Sequence, residues 1–324
     1  MPWTPPPGGV EAEQRPPTLF ASWVSMATVV SLGVPHIPRL EVQQVWARQT
    51  LSMRSLPSLD DQFVATSGCT ETFDRDGHVR IDRLATGAEV EAFRPAIEAT
   101  AERVRWDRRP IEERDTYGKA FIQAANLWQH DEAVAQFTLA RRFASAAAAL
   151  LEVDAVRLYH DQALFKEPGG GATPWHQDQY YWPLDTDDTV TMWMPLVDVT
   201  DPVEGMTFGD GTHRFGDLGG GVISDASERR FDALVRDRGI KLHTYRNLRA
   251  GDATFHRGWT LHRASGNPTA SMRSVMTVIY VADGACIAPP ANPAQEFDRQ
   301  IWLGGRAPGL RVDGGGNPLI VVTP

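Results

Sequence analysis

The segment Pro174-Trp175-His176-Gln177-Asp178 sets an imidazole and a carboxylate two residues apart. In an extended strand residues i and i+2 point to one face, so His176 and Asp178 can offer a nitrogen and an oxygen to one point. That is half a metal site. The rest must come from a distant histidine, because two histidines and one carboxylate on a single octahedral face leave three positions open, the arrangement suited to non-haem iron. Downstream stand His213, His243, His256 and His262, and position alone does not separate them. His262 stands out because Arg273 lies on the next expected strand, where a guanidinium can make a forked, charge-assisted pair with a carboxylate. Without that context, a histidine hydrogen-bonded to a carboxylate on a strand explains the pair equally well.

The elements that must position these groups change character along the chain. From Phe73, the text FDRDGHVRIDRLATGAEVEAFRPAIEATAERV reads as a short strand, a turn and a helix. Thr86 or Gly87 stands near the N-cap, and Val90, Phe93, Ile97 and Val104 make one apolar stripe. Helical patterning continues from Asp131 to Leu151, where the alanines imply close packing. After Asp154 the period becomes extended, with VRLYHDQALFKEPGGG, TVTMWMPLVDVT, ATFHRGWTLHRAS and MRSVMTVIYVADG separated by Gly, Pro and Asp clusters. Short strands with turns between them, preceded by helices, predict a mainly β jelly roll with helical cover. Residues 1–60 read as an extension without visible chemistry, and 61–324 as one domain. Residues 216–240, GGG and then a charged helical pattern, read as an insertion over the mouth of the sheet.

The stretch from Asp161 to Asp283 resembles the phytanoyl-CoA dioxygenase family, carried by DQALFKEPGG, TPWHQDQYYWPL, TMWMPLVDV, EGMTFGDGTHRFGD, GDATFHRGWTLHRASGNP and MRSVMTVIYVADG. Weaker similarity reaches back to about Phe73. The resemblance implies a double-stranded β-helix of the cupin-like kind. It implies Fe(II) on His176, Asp178 and His262, which serve as both metal ligands and catalytic centre, and 2-oxoglutarate with its distal carboxylate on Arg273. Gln162 and Thr191 would be polar contacts near the co-substrate, with Trp193 as a core aromatic beside it. One departure is Ala264, two residues after the distal histidine, where some members carry a serine. Members that halogenate replace the acidic ligand by a small residue; Asp178 disfavours that outcome here.

Other residues have bland readings beside the functional ones. His256 reads as a core or supporting histidine and His213 as a turn residue. Tyr180, Tyr181 and Trp182 leave the metal strand towards the rim, and with Trp128 and Trp259 they are the candidate substrate contacts, each against a plain packing role. Lys166 and Lys119 read as solvated lysines. The run from Glu228 to Arg238 reads as a solvated helix face.

The formal net charge of −9 excludes a protein built chiefly to grip nucleic acid, which needs a concentrated basic face. A small-molecule substrate is expected, with O2 as the oxidant. Cys69 and Cys286 belong to no metal-binding spacing and read as reduced thiols, consistent with a cytoplasmic setting. The apolar run Leu19 to Val34 is too short to span a bilayer and lacks a basic lead, so no stable membrane anchor is expected. Three functions compete: hydroxylation of an unactivated C–H; desaturation, cyclisation or epoxidation by the same chemistry; and a metal-holding jelly roll without turnover.

Overall fold

In the computed structural model, residues 55–115, 117–200 and 205–321 are described. The proposed extension before Ser55 and the apolar run at 19–34 lie outside them. Helix α1 (Ser67–Asp76) and strand β1 (His78–Ile81) are followed by α2 (Gly87–Val104), β2 (Ile122–Ala125), α3 (Glu132–Thr138) and α4 (Arg141–Leu151). Then come β3 (Ala155–Phe165), β4 (Thr173–His176), β5 (Thr189–Pro195), β6 (Met206–Gly209), α5 (Asp225–Arg238) and β7 (Leu242–Thr244). The chain finishes with β8 (Ala253–Arg257), β9 (His262–Ala264), β10 (Val275–Ala282), α6 (Pro293–Ile301) and β11 (Leu319–Val321).

Two antiparallel sheets form the jelly roll. The larger runs β1-β8-β5-β10-β3-β11, with β2 also on β3, and the smaller runs β4-β9-β6-β7. Alternation along the large sheet sorts its residues between two environments. Val190, Met192 and Met194 of β5, Phe255 of β8, and Met276, Val278 and Tyr280 of β10 pack into a core with Phe93 and Ile97 of α2, Phe137 of α3 and Phe143 of α4. The intervening residues Thr191, Trp193, His256 and Thr277 therefore face the other way. In β3, an irregularity opposite Ile279 and Tyr280 brings His160 and Gln162 onto that same inner side. Asp161, between them, points into the helical side and accepts from the backbone N–H groups of Leu127 (2.7 Å) and Trp128 (3.0 Å) and from the Thr138 hydroxyl (2.8 Å).

The helix expected at Gly87 forms as its sequence dictates. Thr86 accepts from the Glu89 N–H while Glu89 reaches back to the Thr86 N–H, a capping box. The helical patterning over 131–151 resolves into two helices. Ala140 has extended backbone (φ −56, ψ 125), and the break lets the Arg142 N–H bond to the Leu59 carbonyl. No proline or glycine marks this corner, which is why periodicity alone misses it. Helix α1 was not legible either; it ends at Gly77, whose φ of +81 suits glycine. A Cβ there would also stand 2.2 Å from His213 Nδ1. Among the described residues, no helix is long and apolar enough to cross a membrane.

Candidate metal centre

The small sheet brings the two distant histidines together. β4 and β9 pair so that His176 stands opposite His262, with ring centroids 4.0 Å apart. Strand β4 ends at His176, so Asp178 opens a turn of 3-10 helix (Asp178–Tyr181) rather than continuing the strand as expected. Gln177 keeps extended backbone (φ −125, ψ 123), and this preserves the alternation that carries the carboxylate to the imidazole's side.

Hydrogen bonds fix which atoms face the centre. His176 Nδ1 lies 2.8 Å from the Pro174 carbonyl, and His262 Nδ1 lies 2.9 Å from the Thr260 carbonyl. A carbonyl only accepts, so each Nδ1 carries the proton and each Nε2 presents a lone pair. Both Nε2 atoms converge on one oxygen of Asp178: Oδ1 is 3.5 Å from His176 and 3.6 Å from His262. The other oxygen, Oδ2, is held from behind by the Thr191 hydroxyl at 3.0 Å and His256 Nε2 at 3.1 Å. Ligands at adjacent corners of an octahedron with bonds of about 2.1 Å stand about 3 Å apart, so small movements would close these three atoms on a cation.

Electrostatics agree. Burial, reinforced by the neighbouring His176 and His256 rings, holds His262 well below the usual histidine range and so uncharged. Burial opposes ionisation of Asp178, yet the carboxyl is held well below its ordinary value, with the His256 N–H as the imidazole donor that lies on it. Two neutral imidazoles and one carboxylate form the donor set expected for a divalent metal with open positions. Among the described residues, His176, Asp178 and His262 form the one such group, with ligand atoms within 4.8 Å of one another.

The segment that carries the ligands is clamped. Gln177 donates to the carbonyls of Gly216 (2.9 Å) and Trp259 (2.7 Å) and accepts from the Leu218 N–H (2.9 Å). The Trp175 N–H and indole donate to Glu228 (2.6 Å) and Asp232 (3.0 Å) of α5, and Arg263 joins Glu228 while lying over the Trp175 ring. The charged face of α5 is therefore not simply solvated: two of its acids secure the metal strand. Behind the turn, Gly258 sits so close that a Cβ would stand 2.3 Å from Gln179 Oε1.

Arg273 lies at the edge of this site, beside Lys166 in an isolated backbone bridge. It is 4% exposed, its guanidinium sits 5.5 Å over the Trp193 ring, and its Nε and Nη1 have no partner. A buried guanidinium with idle donors is suited to receive an anion. Burial pulls Arg273 down to about 9, so it remains charged at neutral pH. The expectation of a solvated Lys166 is overturned. Its side chain is fully buried and donates to the carbonyls of Ala120 and Gly171 and to Thr173 Oγ1. Burial and then the Arg273 charge pull its ammonium down to about 6. Lys119 is exposed.

The remaining expected contacts divide. The Thr191 hydroxyl donates to Asp178 Oδ2. Gln162 accepts from Gln123 (2.7 Å) and lies 3.4 Å from His160 Nδ1, while the Tyr117 hydroxyl reaches Gln123 (3.4 Å), giving a polar row along the inner face. Trp128 packs at the helical core on the far side of the large sheet. Trp182 is buried against Tyr159, Tyr181 accepts from the Ile223 N–H, and the Trp259 indole donates to Asp187. The Tyr180 carbonyl accepts from Asn292, the N-cap of α6, and from Gln295 within it, tying that helix to the metal turn. Sequence reading missed Tyr117, His160, Asp298 and Trp302, whose placement depends on distant parts of the chain.

The profile of the phytanoyl-CoA dioxygenase (PhyH) family matches residues 73–275. The chain belongs to that family. It is thus a non-haem iron, 2-oxoglutarate-dependent dioxygenase, and Fe(II), 2-oxoglutarate and O2 are the family's requirements. Ectoine dioxygenase of Streptomyces coelicolor is 25% identical over 264 residues, 74% of this chain and 85% of that protein. SnoK, a non-heme alpha ketoglutarate dependent carbocyclase from nogalamycin biosynthesis, shares the fold with a TM-score of 0.64 and 24% identity, covering 82% of this chain and 99% of SnoK. The epimerase SnoN, crystallised with Fe3+, alpha ketoglutarate and nogalamycin RO, gives a TM-score of 0.63 and 25% identity over 78% of this chain and 97% of SnoN. The predicted jelly roll of the PhyH oxygenases is therefore the fold observed.

Proposed function

We propose that this PhyH-family enzyme hydroxylates an unactivated C–H bond of a small molecule in the cytoplasm, releasing succinate and CO2. His176, Asp178 and His262 would hold Fe(II), and Arg273 would bind the distal carboxylate of 2-oxoglutarate. The supporting observation is the convergence of two Nε2 lone pairs on Asp178 Oδ1, with an unpartnered guanidinium nearby. When bound, iron supplies the coupling of 2-oxoglutarate decarboxylation to oxidation of the substrate. The protein's own part is orientation. Pro174 and Thr260 fix the imidazole tautomers, Thr191 and His256 turn Oδ1 inwards, and the Arg273 guanidinium lies over the Trp193 ring.

A static jelly roll that holds metal without turnover does not account for the idle Arg273 donors, which need an anion that such a protein would not supply. The free thiols of Cys69 and Cys286 suit a reducing compartment. The test is a metabolite screen on anaerobically iron-loaded protein, read by succinate. A product heavier by one oxygen supports hydroxylation; a loss of two hydrogens would replace it with desaturation or ring closure. No succinate above a metal-free control under any condition would overturn the enzyme reading.

A further inference from the structure

Two basic side chains stand side by side at the Arg273 edge of the site, and no acid answers either. Lys166 and Arg273 exchange both backbone hydrogen bonds: the Lys166 N–H meets the Arg273 carbonyl at 3.0 Å, and the Arg273 N–H meets the Lys166 carbonyl at 2.9 Å. In an antiparallel ladder such a pair projects its side chains from one face, with Cα atoms about 5.5 Å apart. The face is the inner one, since Val275, two residues on from Arg273, packs with Trp193. No carboxylate charge acts on either group: burial lowers Arg273, and burial with the Arg273 charge lowers Lys166. The acids of the flanking segments are engaged elsewhere, Glu167 with Arg114 and Glu98 with the Ser274 hydroxyl. Lys119 is exposed, Tyr117 turns its hydroxyl to Gln123, and β4 and β9 present Thr173 and Ala264, which carry no charge.

The two respond differently to this crowding, because a guanidinium keeps its proton and an amine can give one up. The cradle around Lys166 suits both states of the amine. Nζ lies 2.9 Å from the Ala120 carbonyl, 2.6 Å from the Gly171 carbonyl and 3.1 Å from Thr173 Oγ1. An ammonium donates to all three. A neutral amine donates to the two carbonyls and takes the Thr173 hydroxyl proton on its lone pair, since a hydroxyl either accepts or donates. Neither state leaves the nitrogen without partners. With no anion at hand, burial beside Arg273 brings Lys166 down to about 6. A carboxylate on the idle Nε and Nη1 of Arg273 would offset the charge that opposes the second proton.

We propose that Lys166 is a positioning residue of the 2-oxoglutarate site and takes up a proton when the distal carboxylate settles on Arg273. The proton passes from the buffer to Nζ, no bond to the co-substrate forms, and the Thr173 hydroxyl turns from donor to acceptor. Thr173 opens the strand that ends in His176, so the same lysine links the carboxylate end of the site to the metal strand. Above about pH 6 the free protein lacks this proton and the complex holds it, so affinity for 2-oxoglutarate falls as pH rises. Below about pH 6 both forms hold it and affinity is level. The inference rests on the oxygenase reading, because it concerns the co-substrate of that site.

2-Oxoglutarate and 2-oxopentanoate, which share the keto acid and differ by the distal carboxylate, test it. Each is titrated into anaerobic Fe(II)-loaded protein, with the visible charge-transfer band of the iron–keto acid complex giving Kd. Calorimetry in buffers of different ionisation heat counts the protons taken up. The expected result for 2-oxoglutarate is uptake of about half a proton or more near pH 7.5 and a Kd that rises by up to about tenfold per pH unit above 6. 2-Oxopentanoate should show neither. In Lys166→Met, shown by thermal melts to be folded, 2-oxoglutarate should bind without uptake and with a level Kd. A purely structural lysine would weaken binding at every pH and leave the proton count unchanged. No uptake with 2-oxoglutarate, equal uptake with 2-oxopentanoate, or uptake retained in folded Lys166→Met would overturn the proposal; should that variant not fold, the two keto acids on the parent protein still decide. Absence of the band with 2-oxoglutarate would instead strike the oxygenase reading, so the two failures are told apart.

Discussion

His256 Nε2 lies 3.1 Å from Asp178 Oδ2, on the same oxygen that the Thr191 hydroxyl reaches from the facing strand. The two donors are cross-strand partners in β5 and β8, so one register fixes both. Because the carboxylate accepts, His256 must carry its proton on Nε2, and it is a donor to the ligand rather than a fourth ligand. Removing such a support typically costs 10–100-fold in metal affinity or activity. His256→Ala and Thr191→Val should each weaken Fe(II) binding in that range, measured by metal titration against succinate release, with the double variant less than additive because both act on one oxygen. Full activity in His256→Ala would show that the turn alone positions Asp178.

Arg273 should act on the co-substrate and not on the substrate. A charge-assisted hydrogen bond contributes about 1.5–3 kcal/mol, so loss of a forked pair in Arg273→Gln should raise the KM for 2-oxoglutarate about 100-fold or more. The KM for the substrate should stay within a few-fold. Arg273→Lys should recover only part, since a lysine is a point charge without the fork. A variant that raises both KM values together would place the guanidinium elsewhere in the cycle.

The two ends of this arrangement are unequally legible in the sequence. The pairing of His176 with Asp178 follows from strand alternation over three residues, and the capping box at Thr86 from a spacing of three. Both are local, so type and spacing reveal them. Lys166 reads as a surface residue because its acceptors come from Ala120, Gly171 and Thr173, which only the fold assembles around it. Thr191 reads as a polar contact near the co-substrate, and its bond to Asp178, thirteen residues earlier, is visible only once the strands are assembled. Asp298 and Trp302 lie in an unremarkable helical text, and nothing local to them signals the sheet face they cover.

His78 supplies a pH test independent of the metal. It is 1% exposed, bonded to Tyr245 and Asp210, and burial, only partly offset by Asp210, lowers it to about 4. The unfolded chain protonates this ring near 6.5 while the fold keeps it neutral, so the unfolded state takes up the extra proton as pH falls. Stability must therefore decline between about pH 6.5 and 4, by up to about 1.4 kcal/mol per pH unit for this group. Urea unfolding at pH 7.5, 6 and 5 should show that decline, and the slope should be shallower in His78→Asn. An identical slope in the variant would assign the acid sensitivity to other groups.

Gly258 is where a single methyl should separate site from scaffold. Its carbonyl accepts from the Gln179 N–H in the turn that begins with Asp178, at 2.9 Å. An added Cβ would stand 2.3 Å from Gln179 Oε1 and 2.6 Å from Thr189 Oγ1, two atoms already bonded to each other. Neither can retreat without breaking that bond, so the displacement passes to the turn and thus to the Asp178 carboxylate. Gly258→Ala should cost about 1–3 kcal/mol of stability by overpacking. It should also lower Fe(II)-dependent turnover by at least the tenfold expected when ligand support is disturbed. Paired melting and metal titrations check this: a destabilised variant with unchanged metal affinity would mean that the turn absorbs the methyl without moving Asp178.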